Sequence, residues 1–436
     1  MENYIKDEKL AVDLNTEKSY VLKNSHSLDP LMERIGDAHC VLLGEASHGT
    51  HEYYTWRTAI SKRLIEEKGF NFIAVEGDWP DCYKLNRYIK GYVQDKSPVE
   101  LLNTFRRWPT WMWANWEIAA LIAWLKNRND GLYPAQKAGF YGLDVYSLWE
   151  SMDTIVAYLK KVDPHTAAIA KKAAQCFEPF EKDEFRYARQ DYKLSDSCRA
   201  PLTQLLTEIL KNSHSYDHDL EAALNAEQNA HVLINAEEYY RNMIGFNENS
   251  WNLRDTHMME TLQRLFKFHG PESKGIVWEH NSHIGDARYT SMYEEGLINV
   301  GQLIREERGT EDVVLVGFST YQGSVIAGEE WEAPMQVMEV PPARVGSVED
   351  LLHKESEEDR LLIFDKTEKQ RFDLIMPHRA IGVVYHPEHE SRRNYQLSVL
   401  SSRYDAFIYL DQTTELHPLH LKPDEYQIPE TYPFNF

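Results

Sequence analysis

Apolar residues along the chain gather into five short runs: His39–Leu43, Asn71–Val75, Gly139–Leu143, Gly275–Trp278 and Val313–Gly317. Each is of strand length and continuous rather than alternating, the pattern of a strand buried on both faces. Helical spacing fills the intervals. Between the first two runs Trp56, Ile60 and Leu64 recur every fourth residue, and Gly69 is placed to end the helix they predict. Strand–helix–strand alternation predicts an α/β fold, with a mainly parallel sheet core flanked by helices.

Residues 151–268 carry helix-period patterns and little strand signal. Leu202, Leu205, Leu206, Ile209 and Leu210 form one apolar stripe there. The expectation is an all-helical insertion that divides the α/β catalytic core into residues 1–150 and 269–320. Beyond Gly317, glycines and the Pro341–Pro342 pair punctuate shorter segments, and Leu361–Phe364, Ala380–Tyr385 and Asp405–Leu410 read as further strands. Residues 321–436 are expected to form a small α+β subdomain together with the remaining core strands.

Composition narrows the function classes. At about 100–200 residues per domain, 436 residues suit two or three domains, or one domain with an insertion. Lys plus Arg total 47 and Asp plus Glu total 69, a net charge of −22, with no basic run to offset it. Such a surface repels phosphate backbones and anionic lipid, so neither nucleic acid nor membrane is an expected partner. No uninterrupted apolar run reaches the roughly 18 residues of a membrane span. The four cysteines, Cys40, Cys82, Cys176 and Cys198, show no C-x-x-C spacing, and Met1–Glu8 is polar with no apolar signal core. A reduced, cytoplasmic, monomeric protein acting on a small molecule is the expectation.

In open α/β sheets ligands bind beyond the carboxyl ends of the strands. There the five runs are followed by Gly44-Glu45-Ala46-Ser47-His48-Gly49-Thr50, by Glu76-Gly77-Asp78, by Asp144, by Glu279-His280-Asn281-Ser282-His283, and by Ser319-Thr320. Parallel strands bring these groups to one cleft. His48 precedes a helix that Thr50 is placed to cap, and a helix N-terminus favours a neutral imidazole able to accept a proton from water. Glu45 or Glu76 can orient that ring. Arg57 lies two helical turns past Thr50 and can pair with Glu76 or hold an oxyanion. His280 and His283 with Glu45, His48 and Glu76 also compose a divalent-metal set, although no H-E-x-x-H motif occurs. Trp108, Trp111, Trp113 and Trp116 cluster around Pro109, as core or as an apolar wall for a large ligand. In Trp251-Asn252-Leu253-Arg254-Asp255 the arginine can grip a carboxylate or pair with Asp255. Gly-x-Ser-x-Gly, Gly-x-Gly-x-x-Gly and Walker A patterns are absent, so a serine nucleophile and a nucleotide cofactor are not expected.

Five segments together resemble the erythromycin esterase family. They are Leu43–Thr50 with Arg57; Glu76-Gly77-Asp78-Trp79-Pro80; Pro109-Thr110-Trp111-Met112-Trp113 with Glu117; Trp251–Asp255; and His280–His283. The resemblance implies ester hydrolysis without cofactor or metal, typified by opening a macrolide lactone. It implies His48 as the general base, Glu45 and Glu76 as flanking carboxylates, Arg57 as a cleft arginine, and His280 and His283 as the pair that positions or polarises substrate. Trp111, Trp113, Asp78, Arg254 and Asp255 are the expected substrate-binding residues. A metal-dependent hydrolase built on the same Glu/His cluster and a non-enzymatic small-molecule binder are the competing expectations.

Overall fold

Val41, Leu42 and Leu43 are fully buried, yet successive side chains enter different cores. Val41, Leu43, Ile73, Val75, Ile276 and Trp278 pack on one face of a sheet, and Cys40, Leu42, Phe72, Ala74 and Val277 pack on the other. The two-residue period of a strand makes this division, and helices on both faces account for the continuous apolar runs. The computed structural model describes residues 18–180, 183, 186, 187, 189, 198–212, 216, 221–243, 249–364 and 371–420.

The strands are β1 (Lys18–Val21), β2 (Cys40–Leu43), β3 (Phe72–Asp78), β4 (Gly139–Asp144), β5 (Gly275–Trp278), β6 (Val313–Ala327), β7 (Gln336–Val340), β8 (Arg360–Ile363), β9 (Ile375–Arg379), β10 (Tyr395–Val399) and β11 (Ala406–Thr413). The main sheet runs β1-β8-β11-β6-β2-β5-β3-β4, with β7 paired to the far half of β6. From β11 to β4 every neighbouring pair is parallel, while β8 and β1 form an antiparallel edge. The predicted mainly parallel α/β sheet is thus observed. The His51–Glu67 helix covers one face through Tyr53, Trp56, Ile60 and Leu64, and ends where Gly69 takes a φ of +74°. On the other face the Asn249–His269 helix lays Met258, Leu262 and Leu265 against the sheet.

Between β4 and β5 the chain is helical among the described residues. The Leu148–Val162, Pro164–Phe177, Arg199–Asn212 and Ala222–Met243 helices share a core of their own, containing Leu148, Ile155, Ala170, Leu205, Ile209 and Leu233. In the predicted leucine stripe Leu202, Leu205 and Ile209 are buried, whereas Leu210 faces outward.

Three expectations need correction. The fifth run does not stop at Gly317: β6 continues to Ala327, because β11 pairs with Ser319–Gly323 and β7 with Gly323–Ala327. Ser319 and Thr320 therefore sit within a strand, and the Ser319 hydroxyl donates to buried Glu349 (2.7 Å). Ala380–Tyr385 makes isolated bridges to Ser47 and Gly328 rather than a strand, so its apolar residues back the loop that follows β2. The thiols are not all free: Cys176 and Cys198 form a disulfide with Cα atoms 5.9 Å apart, a separation such a bridge accommodates. No helix among the described residues is long and apolar enough to cross a membrane.

Candidate active site

β2 is the topological switch point. The chain leaves it for β3 and β4 on one side and returns through β5 to β6 on the other, which opens a crevice at the carboxyl ends. The loop after β2 is pinned on both sides. Gly49 O accepts from Ile326 N (3.0 Å) and Leu416 N (2.9 Å), and Ile381 N donates to Ala46 O (2.7 Å). A Cβ at Gly49 would lie 2.0 Å from Ile326 O. Gly49→Ala is therefore expected to shift the loop at a stability loss of about 1–3 kcal/mol, the usual range for overpacking, readable by urea unfolding. Thr50 holds the cap position of the following helix without a side-chain cap; its hydroxyl instead meets Ser47 Oγ at 2.5 Å.

Two buried charge chains meet in the crevice. In the first, Arg57 Nη2 donates to Glu45 Oε2 (2.6 Å), and Glu45 Oε1 meets His48 Nδ1 (2.9 Å). Arg57 is fully buried, its guanidinium over the rings of Tyr54 and Trp278. In the second, Arg254 grips Asp144 through Nε (2.9 Å) and Nη2 (2.6 Å), and Nη2 also reaches Glu76 Oε1 (2.6 Å). Glu76 Oε2 accepts from His280 N (2.8 Å). His283 Nδ1 faces Asp255 (2.9 Å), its Nε2 lies 3.0 Å from Arg254 Nη1, and its ring stacks on Trp251 with centroids 4.5 Å apart. The chains touch where the His48 and His280 rings approach to 4.9 Å.

The protonation states follow from this arrangement. Burial pushes the His48 imidazolium down, but the Glu76 charge and the Glu45 hydrogen bond outweigh it and raise the pKa above the ordinary value of 6.5. The expected helix-end depression of His48 is thus overridden by the carboxylates. Burial alone would raise Glu76, yet His283, Arg254 and His48 hold it well below the usual carboxylate range. His280 goes the other way: burial, then neighbouring His48, push it far below 6.5, so it is neutral. Asp78 is pushed up to about 8 by burial, against the pull of Arg107.

Above these chains lies a cavity of about 900 Å³. His48, Glu76, Asp78 and Asp144 reach it from the strand ends and Arg254 from the Asn249–His269 helix, and Trp108, Trp113, Trp149, Tyr146, Tyr239, Tyr240 and Trp331 form its aromatic walls. Its volume falls in the range of small-molecule sites.

The sequence profile of the erythromycin esterase family matches residues 65–413. The chain belongs to the erythromycin esterase family. Glu45, His48 and Arg57 precede the matched span. "Putative hydrolase YbfO" of Bacillus subtilis (strain 168) is 23% identical over 400 residues, covering 86% of this chain and 83% of that protein. Erythromycin esterase type II of Escherichia coli is 23% identical over 345 residues, covering 75% and 78%. Two solved structures share the fold: a Bacillus cereus protein (TM-score 0.76, 19% identity, 93% and 97% covered) and an erythromycin esterase mutant in its open conformation (0.65, 16%, 90% and 95%). Membership in the erythromycin esterase family supports hydrolytic activity.

Within this esterase-family crevice the expected residues divide into two ranks. His48, Glu76, Asp78, Trp113 and Arg254 line the cavity; Glu45, Arg57, Asp255, His280 and His283 stand behind it. Arg57 pairs with Glu45, not Glu76, so it braces the carboxylate rather than facing a ligand. Trp111 is core: it is buried against the His51–Glu67 and Trp116–Asn129 helices' cluster and does not line the cavity. Arg254 is partnered by Asp144 and Glu76, and Asp255 by His283. Arg254 contacts Glu76 and His283, two of the five residues of the metal-dependent alternative.

Asp144 appeared in the sequence only as a strand end, and Arg107, which bridges Asp78 and Glu150 at 2.8 Å each, was not singled out. Trp331 was also missed. It leans on Trp108 with ring centroids 4.7 Å apart and stays half exposed, and an isolated tryptophan in the acidic turn Gly328–Ala333 was its only signal.

Proposed function

We propose that this protein is a carboxylic ester hydrolase in which His48 deprotonates a water that attacks the ester carbonyl directly, with no covalent intermediate and no cofactor. The buried Arg57–Glu45–His48 chain, ending at the cavity wall, carries this reading. Glu45 holds Nδ1, which leaves Nε2 as the nitrogen that takes the proton. Glu76 is ionised and stabilises the imidazolium that forms. His280 supplies the complementary group. Its Nδ1 accepts from Ser282 N (3.2 Å), so its Nε2 carries the hydrogen, on a buried nitrogen behind the cavity wall. Brought against the developing negative charge as substrate seats, such a neutral donor would do the chemistry of an oxyanion hole.

The cavity favours a bulky, largely apolar ester. Its aromatic walls supply the apolar surface, and its charged lining is paired internally, Arg254 with Asp144 and Glu76 and Arg107 with Asp78 and Glu150. A macrolide lactone belongs to that class, and the name of the Escherichia coli relative supports including macrolides in the first substrate panel.

The base must be neutral to act. A raised His48 pKa therefore places the acidic limb of the kcat/KM profile above pH 6.5, with activity falling as pH drops through it. Glu76→Gln removes the largest charge raising that pKa, so the limb is expected to move to lower pH while overall activity declines. A pH–rate series on both proteins checks this; a limb that stays in place in Glu76→Gln contradicts the assignment.

A further inference from the structure

Glu117 belongs to the third resembling segment, yet the esterase reading gives it no role. It sits in the first turn of the Trp116–Asn129 helix and is buried. One of its oxygens, Oε1, meets His51 Nδ1 at 2.5 Å and His417 Nδ1 at 2.6 Å. The two imidazoles stand nearly perpendicular, with centroids 5.0 Å apart. Among the described residues this is the only group of three His, Cys, Asp or Glu side chains whose ligating atoms all lie within 4.8 Å of one another. The second oxygen, Oε2, is buried and makes no hydrogen bond, although a carboxylate offers about four acceptor positions. His417 is 38% exposed, so water reaches the cluster from one side.

We propose that His51, Glu117 and His417 form a binding site for a divalent transition-metal cation of the zinc class. Two imidazoles and one carboxylate with a water in the fourth position is a donor set that suits such an ion. Ligand atoms about 2.0–2.2 Å from a central ion require only small side-chain adjustments from the spacing observed. A ligating imidazole must be neutral, so protons compete with the ion for both histidines and loading is favoured as pH rises. The backbone already holds the three segments together: His51 N donates to Thr414 O (3.0 Å), Trp116 N to His417 O (3.0 Å) and Leu419 N to Ala114 O (2.9 Å). The ion would staple the strap at 414–419 to two helix starts. The same strap donates from Leu416 N to Gly49 O, beside His48. The site is separate from the crevice and its role is structural.

The test uses the full chain, stripped with chelator, desalted, then titrated with zinc chloride. Elemental analysis after gel filtration is expected to find one zinc per chain, with a higher thermal unfolding midpoint than the stripped protein. His417→Ala, at an exposed position, is expected to fold, to retain no zinc and to show no zinc-dependent rise. X-ray absorption at the zinc edge of the wild-type protein gives a readout independent of any variant, with scattering from two imidazoles expected. Zinc that is not retained by the wild type, that is retained equally by His417→Ala, or that is lost from His48→Ala but kept by His417→Ala overturns the proposal. A spectrum without imidazole scattering does so as well.

Discussion

Replacing His48 by alanine is expected to lower ester turnover by about 10²–10⁴-fold, the range for losing a general base. The loss falls on kcat more than on KM, because proton transfer is made only in the transition state. The fold should survive. The change removes one hydrogen bond to a buried carboxylate, worth about 1.5–3 kcal/mol, and Glu45 keeps its partner Arg57. Steady-state kinetics beside a thermal unfolding scan separate the two effects. Unchanged turnover in a folded variant contradicts the mechanism. The prediction is specific to this histidine because its ring alone among the crevice imidazoles lines the cavity and has a carboxylate fixed on Nδ1. His280 is neutral, accepts from Ser282 N at Nδ1 and stands behind the cavity, and His283 is held between Asp255 and Arg254.

Arg254→Met carries the largest expected loss of stability, about 3–5 kcal/mol, because it leaves two buried carboxylates without their cation. Glu76 and Asp144 are both nearly inaccessible, and Arg254 donates three hydrogen bonds to them. The pH dependence separates this cause from lost packing. In the wild type Glu76 is held ionised far below the usual range by His283, Arg254 and His48. Without the guanidinium its pKa rises, so the folded variant takes up a proton as pH falls and recovers part of the deficit. Urea unfolding at neutral and mildly acidic pH is expected to show the gap between variant and wild type narrowing toward acid. A gap independent of pH points to packing alone.

The strands were legible where physics made them uniform. β2, β3, β4, β5 and the first half of β6 are covered on both faces, so a continuous apolar run was a sufficient signal. β6 beyond Gly317 was not legible, because Ser319 to Gly323 pair with β11 through the backbone, to which side-chain hydropathy is blind. Ala380–Tyr385 has strand-like composition, but its backbone pairs only at isolated points beside the His48 loop. The strand-end rule gathered His48, Glu45, Glu76, Asp144 and His280 correctly into one crevice. It could not assign partners. Arg57 and Arg254 each had two plausible carboxylates, and only the fold decides that Arg57 takes Glu45 and Arg254 takes Asp144 with Glu76. The tryptophan cluster shows the same limit: spacing grouped Trp111 with Trp113, but one is core and the other lines the cavity. Neither the Cys176–Cys198 bridge, across 22 residues, nor the approach of His417 to the distant His51 has a local signature, because each depends on how separate segments pack.

Direct attack by water on the ester, activated by His48, is tested most directly by a single turnover in ¹⁸O-water. Enzyme in excess over a macrolide or a simpler ester is quenched after one turnover, and product and protein are weighed by mass spectrometry. The account predicts one ¹⁸O in the new carboxylate in that first turnover, an unlabelled protein, and no labelled product from His48→Ala within the same quench time. Unlabelled product together with ¹⁸O in the protein, or a protein heavier by the acyl group, would show that a side chain and not water makes the attack.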